Sequence, residues 1–250
     1  MCCTVRYNKL AYFFFSNYNK SGLPDSPLYG RGILMINHDT EPTLREQILS
    51  VAGDMFLQYG YGGTTFQKIA DQLGIVKSTI TYHFKNKFML MEELIDNFFS
   101  FLKTYIDSYP EEYKNKYWRH CVLYIYAYRR IMSTPRTREL FYHKDQQAQW
   151  MNHKIEVVTG IFEQVEQDFH KSYDLDDLKV KALMDMGARG HLYASFQENP
   201  GAMTLDQYCY YHVYHIGILC RLDEMTIQEN IRNAFAFADS HQPPKHFIFG

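Results

Sequence analysis

No apolar run in this chain reaches the ~18 residues that a membrane-spanning helix needs, so no membrane partner is expected. Leu10–Phe15 follows Arg6 and Lys9, but six apolar residues are too few for the core of a signal peptide. Cysteine is sparse and odd in number. Cys2, Cys3, Cys121, Cys209 and Cys220 form no spaced framework, which reads as reduced thiols in a cytoplasmic protein. Enzyme signatures are missing as well. There is no G-x-S-x-G, no phosphate-cradling glycine loop, no G-x-G-x-x-G and no H-E-x-x-H, and the carboxylates are scattered. The chain therefore reads as a non-enzyme without a cofactor. Net charge is only −2, which excludes a polycation binding nucleic acid through charge alone.

What is present is core material. Hydrophobic residues make up 46% of the chain and charged residues 22%, enough to bury a sizeable interior. Tyrosine (21) and phenylalanine (18) are abundant, which suits packed helices, wide aromatic pockets or both. Charge is unevenly spread. Residues 43–90 carry Arg45, Lys68, Lys77, Lys85 and Lys87 against Glu46, Asp54 and Asp71, a balance of +2. Residues 91–250 hold 17 basic and 22 acidic side chains. A basic module on an acidic body fits contact with phosphates at one end only.

Periodicity is helical throughout, and no segment alternates like a half-buried strand. The first helix opens near Thr43, with Leu44, Ile48, Val51, Ala52, Met55, Phe56 and Tyr59 as one stripe, and Gly60, Gly62 and Gly63 as stops. A short helix follows over Thr65–Leu73, with Phe66, Ile69, Ala70 and Leu73 on one face. Either Thr64 or Thr65 caps it. Gly74 makes a turn, Ile75 plugs it, and a second short helix covers Lys77–Phe84, burying Ile80 and Phe84. Its other face carries Lys77, Ser78, Thr79, Thr81, Tyr82 and His83, rich in hydrogen-bonding groups and free of acid. Two helices and a glycine turn, the second presenting donors outward, form the helix-turn-helix plan for reading a major groove.

The run from Thr65 to Lys87, T-x-x-x-I-A-x-x-L-G-I-x-K-S-T-I-x-Y-H-F-K-N-K, resembles the DNA-binding domain of the tetracycline-repressor family, over roughly Thr43–Leu102. The resemblance implies an all-α protein: an N-terminal three-helix DNA-binding domain and a helical C-terminal domain for dimerisation and a small-molecule effector. Two positions depart from the family pattern. Val76 stands where a capping Ser is common, and Thr81 where Tyr is usual. The expected DNA contacts are Thr65, Gln67, Lys77, Ser78, Thr79, Thr81, Tyr82, His83 and Lys87 on a double-stranded operator. A bracing role for His83 inside the fold is the alternative at that position.

Expected domains are an irregular leader (1–40), the DNA-binding domain (41–101, motif 65–84), the effector and dimerisation domain (102–241) and a tail (242–250). Met35 is a plausible start, which would make residues 1–34 an artefact; an arm reaching DNA is the other reading. Later helices are expected at Lys87–Ser108, Tyr117–Ser133 (ended by Pro135), Thr137–Tyr142, Lys144–Ser172, Leu175–Gln197, Thr204–Leu222 and Thr226–Ser240. Ala182, Gly187, Ala188, Gly190 and Ala194 suit close helix approach. In the family two late helices per subunit form a four-helix interface, so the resemblance implies 175–197 and 204–222 as the homodimer helices; burial within one subunit is the alternative. Tyr105, Tyr124, Tyr128 and Phe162, with Trp118 and Trp150, lie on helices that in the family surround a cavity. An apolar or planar ligand, cationic in one variant, would suit them, whereas aromatic core is the plain reading. Cys209, His212 and His215 are spaced three apart, but His215 drifts by about 60° round the helix, so no metal site is expected.

The reading is a ligand-released repressor on a palindromic operator. An alternative is a DNA-binding adaptor of the same fold that recruits a protein partner and takes no ligand. A small-molecule-binding helical protein that no longer reads DNA is opposed by the basic recognition face.

Overall fold

A computed structural model describes residues 42–142, 147–199 and 201–245, with the backbone alone for 147–154. Among these residues the chain is all-α, with ten α-helices and one 3-10 turn. The expected leader, the alternative start at Met35, Trp150's side chain and the last five residues of the tail fall outside them.

The first helix, α1 (Leu44–Gly63), opens on a capping box: Thr43 Oγ1 accepts from the Glu46 N–H, and the Glu46 carboxylate accepts from the Thr43 N–H at 2.7 Å. Gly60 does not stop it. The helix kinks there, with Gly60 at φ 72° and ψ 173°, and runs on to Gly63. A side chain at Gly60 would meet both a left-handed backbone and Arg136, whose Nη1 lies 2.7 Å from the place of a Cβ.

Next, α2 (Phe66–Leu73) starts on Thr65, whose hydroxyl accepts from the Lys68 N–H at 3.2 Å. This decides between the two threonines. Thr64 is fully buried and donates its hydroxyl to the Gly60 carbonyl at 2.9 Å, so it braces the kink instead. Gly74 closes α2 in the left-handed region, φ 66°. Val76 precedes α3 (Lys77–His83) and, 66% exposed, gives no side-chain cap, as its chemistry requires. Asn86 caps α4 (Lys87–Asp107), accepting from the Met89 N–H. Ile69, Ala70, Ile80 and Phe84 join Ile48, Ala52 and Phe56 of α1 and Leu90, Met91 and Leu94 of α4 in one core.

α4 passes 101–102 without a break and leads into the body, where Phe98, Leu102 and Ile106 are buried. The body is built on α5 (Lys116–Ile131). From Cys121 to Tyr128 every residue of α5 is buried, because other helices pack round it on all sides. Pro135 does not end α5. It stands at the first turn of α6 (Pro135–Phe141), where a missing N–H costs nothing, with Thr134 as cap.

Three long helices and a shorter one complete the body: α7 (Gln147–Asp168), α8 (Leu175–Glu198), α9 (Leu205–Leu219) and α10 (Glu224–Ser240). α7 is shorter than its apolar pattern because His170 turns left-handed, and α9 stops at Leu219 because Arg221 does the same. α10 starts two residues early, since Asp223 accepts from the Thr226 N–H at 2.9 Å and so caps it. α9 and α10 both pack on α5, α7 pairs with α8, and α6 lies between α5 and α1.

Candidate functional site

The outward face of α3 follows from its burial pattern. Ile80 is fully buried, which turns Lys77, Ser78, Thr81 and Tyr82 to solvent. Tyr82 is 86% exposed. Thr79 and His83 are half-buried at the edges of the face, and the His83 ring meets Tyr82 edge-on at 5.3 Å. Among the described residues, Lys77, Ser78 and Thr79 make no side-chain hydrogen bond. Thr81 donates its hydroxyl to the Ser78 carbonyl at 2.9 Å. On α2, Gln67 is exposed and donates to Asp71, and Thr65 is spent on its cap. The face therefore sorts itself into Lys77, Ser78, Thr79 and Tyr82 turned outward, and Thr65, Gln67 and Thr81 turned partly to local structure.

Lys87 differs from its expected role. Its ammonium donates to the Thr64 carbonyl at 2.9 Å and to the Tyr61 carbonyl, and lies 4.1 Å from the Tyr61 ring centroid. Burial pushes its pKa down from the ordinary lysine value. It ties the start of α4 to the end of α1, because the α1 kink aims those carbonyls at it. The sequence did not single out Arg45. Its guanidinium donates to the His83 carbonyl at 3.2 Å, pairs with Glu93 and stacks on Phe84 at 4.4 Å. Arg45 thus holds the end of α3, and Lys87 holds the junction of α1 and α4.

Of the aromatic residues expected around a cavity, Tyr124 and Tyr128 come together, with ring centroids 5.6 Å apart. Tyr124, Tyr128 and Phe162 are buried in the core, and Tyr105 is half-buried with its hydroxyl 3.2 Å from that of Tyr109. Trp118 borders a cleft of about 220 Å³, with Glu112, Lys114, Asn233, Phe237 and His241 among its walls. The Cys209–His212–His215 series is also divided. Cys209 and His212 are buried, and His215 turns to Asp185.

Polar groups inside the body went unmarked in the sequence. Asp185 is fully buried, 2.6 Å from Arg189 and paired with His215, and Arg189 lies over the Tyr124 ring. The available signal was an i, i+4 charge pair, Asp185 and Arg189, inside the small-residue stretch of α8. Outside, α8 presents Val180, Leu183 and Met184, and α9 presents Tyr211 and Ile218. A Cβ on Gly187 or Gly190 would meet nothing within 4 Å.

A glycine-turned helix pair held on a third helix, its second member facing solvent with donors, defines a helix-turn-helix DNA-binding protein. Residues 48–94, from within α1 to within α4, match the model of the bacterial regulatory proteins of the tetR family. The HTH-type transcriptional repressor KstR2 of Mycolicibacterium smegmatis is 36% identical over 58 residues, 23% of this chain and 28% of that protein. The chain thus spans little more than a quarter of the length of this curated relative. Among solved structures, tylP, a tetR regulator from Streptomyces fradiae, is 18% identical with a TM-score of 0.46, covering 78% of this chain and 96% of that one. AmtR of Mycobacterium smegmatis is 16% identical with a TM-score of 0.38, covering 81% and 97%. Among the described residues, no helix is long and apolar enough to cross a membrane.

Proposed function

We propose that this chain is a homodimeric, ligand-responsive transcriptional repressor that reads a palindromic operator through α3. One observation carries the reading. The outward face of a rigidly held α3 offers Lys77, Ser78, Thr79 and Tyr82 with no acid among them. Lys77 supplies charge to a phosphate or a guanine edge, Thr79 a hydroxyl and methyl to a base edge, and Tyr82 a phenol to the backbone. Lys87 acts through the fold and not as a free phosphate contact.

A dimer places two such helices about one turn of DNA, ~34 Å, or a multiple, apart. The apolar outer faces of α8 and α9 support that pairing. An effector releases DNA only by binding better to a state whose helices are wrongly spaced. α6 is suited to transmit the change. Its first turn sets Arg136 against Gly60 of α1, and its far end carries Phe141 into the aromatic core of the body. Selection of bound fragments from the source genome tests the reading. It should return an inverted repeat with half-sites an integral number of turns apart; unrelated fragments would overturn it.

A second reading has its own support. Tyr124, Tyr128 and Phe162 pack as core, which suits an adaptor that recruits a protein and takes no ligand. A panel of apolar, anionic and cationic small molecules separates the two, since the adaptor stays on its operator throughout.

A further inference from the structure

Three helices turn polar groups inward where a plain hydrophobic core would serve. His120, Tyr124 and Tyr128 stand one turn apart on α5, and Leu178, Ala182, Asp185 and Arg189 form the inner face of α8. His212 and His215 look in from α9. The Arg189 guanidinium lies 4.6 Å from the centroid of the Tyr124 ring, and the His120 ring lies 4.4 Å from the same centroid. Asp185 is shared by Arg189 and His215, so it satisfies only part of the guanidinium fork.

One guanidinium nitrogen and one imidazole nitrogen are left without a partner among the described residues. Arg189 is 12% exposed, and its Nη2 is buried with no hydrogen-bond partner among the described residues. His120 is 5% exposed, and its Nε2 is in the same condition. Burial, reinforced by the Arg189 charge, pushes the His120 pKa down to about 3, so the ring is neutral and one of its nitrogens carries a proton to donate. Unpaired buried donors, above all on a charged group, are among the costliest features a folded chain can keep. A planar guanidinium with a free edge matches the two oxygens of a carboxylate.

We infer that Arg189 and His120 are the recognition point for the carboxylate of a flat, aromatic or similarly apolar acid. This rests on the reading that the body takes a ligand, and it reverses the cationic option, since Arg189 repels a cation at this point. Tyr124, Tyr128 and Tyr208 supply apolar walls, with Tyr128 and Tyr208 edge-to-face at 5.4 Å. Tyr142 closes one side: its hydroxyl meets that of Tyr208 at 2.9 Å, and its ring stacks on Tyr193. Tyr142 directly follows α6, so admitting the acid disturbs the helix that touches α1.

The test is calorimetric titration of the full chain with naphthoate, naphthamide and naphthylmethylamine, which share a body and differ in head-group charge. Naphthoate should bind at least about tenfold more tightly than the amide, with the amine weakest, because only the acid satisfies both donors. His120→Leu and Arg189→Lys, the second keeping the charge but losing the fork, should each shrink that preference severalfold while circular dichroism stays unchanged. His120→Gln, which retains a donor, should restore most of it. Equal binding of naphthoate and naphthamide overturns the proposal, as does a preference indifferent to all three variants, or no binding of naphthoate at millimolar concentration. Operator binding is followed in the same samples. Naphthoate that binds with the expected preference yet releases no DNA supports the site and tells only against ligand-controlled release.

Discussion

At the scale of single residues, exposure separates the residues proposed to read DNA from those that brace the fold. Tyr82 stands almost wholly in solvent. Tyr82→Ala should therefore leave stability within about 0.5 kcal/mol of the native chain while weakening operator binding about tenfold or more, read by denaturant unfolding beside fluorescence anisotropy. Lys87 should behave the other way. Its ammonium serves two carbonyls, and charge-assisted bonds of this kind contribute roughly 1–3 kcal/mol; Lys87→Ala should cost stability of that order, and DNA affinity only as a consequence. His120 gives a pH signature. Its pKa falls from an ordinary value of about 6.5 to about 3 on folding. Between those values the unfolded chain binds the proton and the folded chain does not, so this group makes stability fall as pH drops below about 6.5, by at most about 1.4 kcal/mol per unit. His120→Gln should flatten that part of the stability–pH curve; an unchanged slope would contradict the assignment.

At the scale of elements, the kink in α1 connects the reader to the body. Gly60 holds a left-handed conformation that a Cβ penalises by about 1–2 kcal/mol, and the Arg136 side chain would also have to move. Gly60→Ala should lose at least that much stability in urea unfolding and disturb DNA binding as well, because Thr64, bound to the Gly60 carbonyl, and Lys87 both depend on the kink. The helices themselves were legible in the sequence. Ile69, Ala70, Gly74 and Ile80 fix the helix-turn-helix by spacing alone, and the i, i+4 stripes fix most of the later helices. Ends governed by one side chain were not. Asp223 as a cap, Pro135 as a first-turn residue and Gly60 as a kink instead of a stop depend on local hydrogen bonding that a period does not record. Nor does a period say what lies opposite. Lys87 read as a DNA contact until the Tyr61 and Thr64 carbonyls at the end of α1 claimed its ammonium, and Asp185 and Arg189 went unmarked until the packing of α8 against α7 and α9 turned them inward.

At the scale of the whole molecule, α8 has two opposed faces. Leu178, Ala182, Asp185 and Arg189 look inward, while Val180, Leu183, Met184 and Gly187 look out. Met184 is 56% exposed, and the surface glycines cost helix stability of about 1 kcal/mol each relative to alanine, a cost that the proposed close approach of a second copy would offset. Met184→Glu should convert a dimer to a monomer by sedimentation velocity and lower operator affinity far more than it lowers the stability of the subunit. A monomeric native protein with full operator affinity would refute the pairing.

The central claim is that α3 reads DNA. It is tested most directly by the affinity of the purified chain for the DNA flanking its own gene, at two salt concentrations, beside the Thr79→Ala, Tyr82→Ala double variant. The account predicts sequence-specific binding that weakens as salt rises, through release of counterions from the phosphates, and that is lost in the variant while its fold is kept. Equal affinity of the native chain and the variant for that DNA would contradict it.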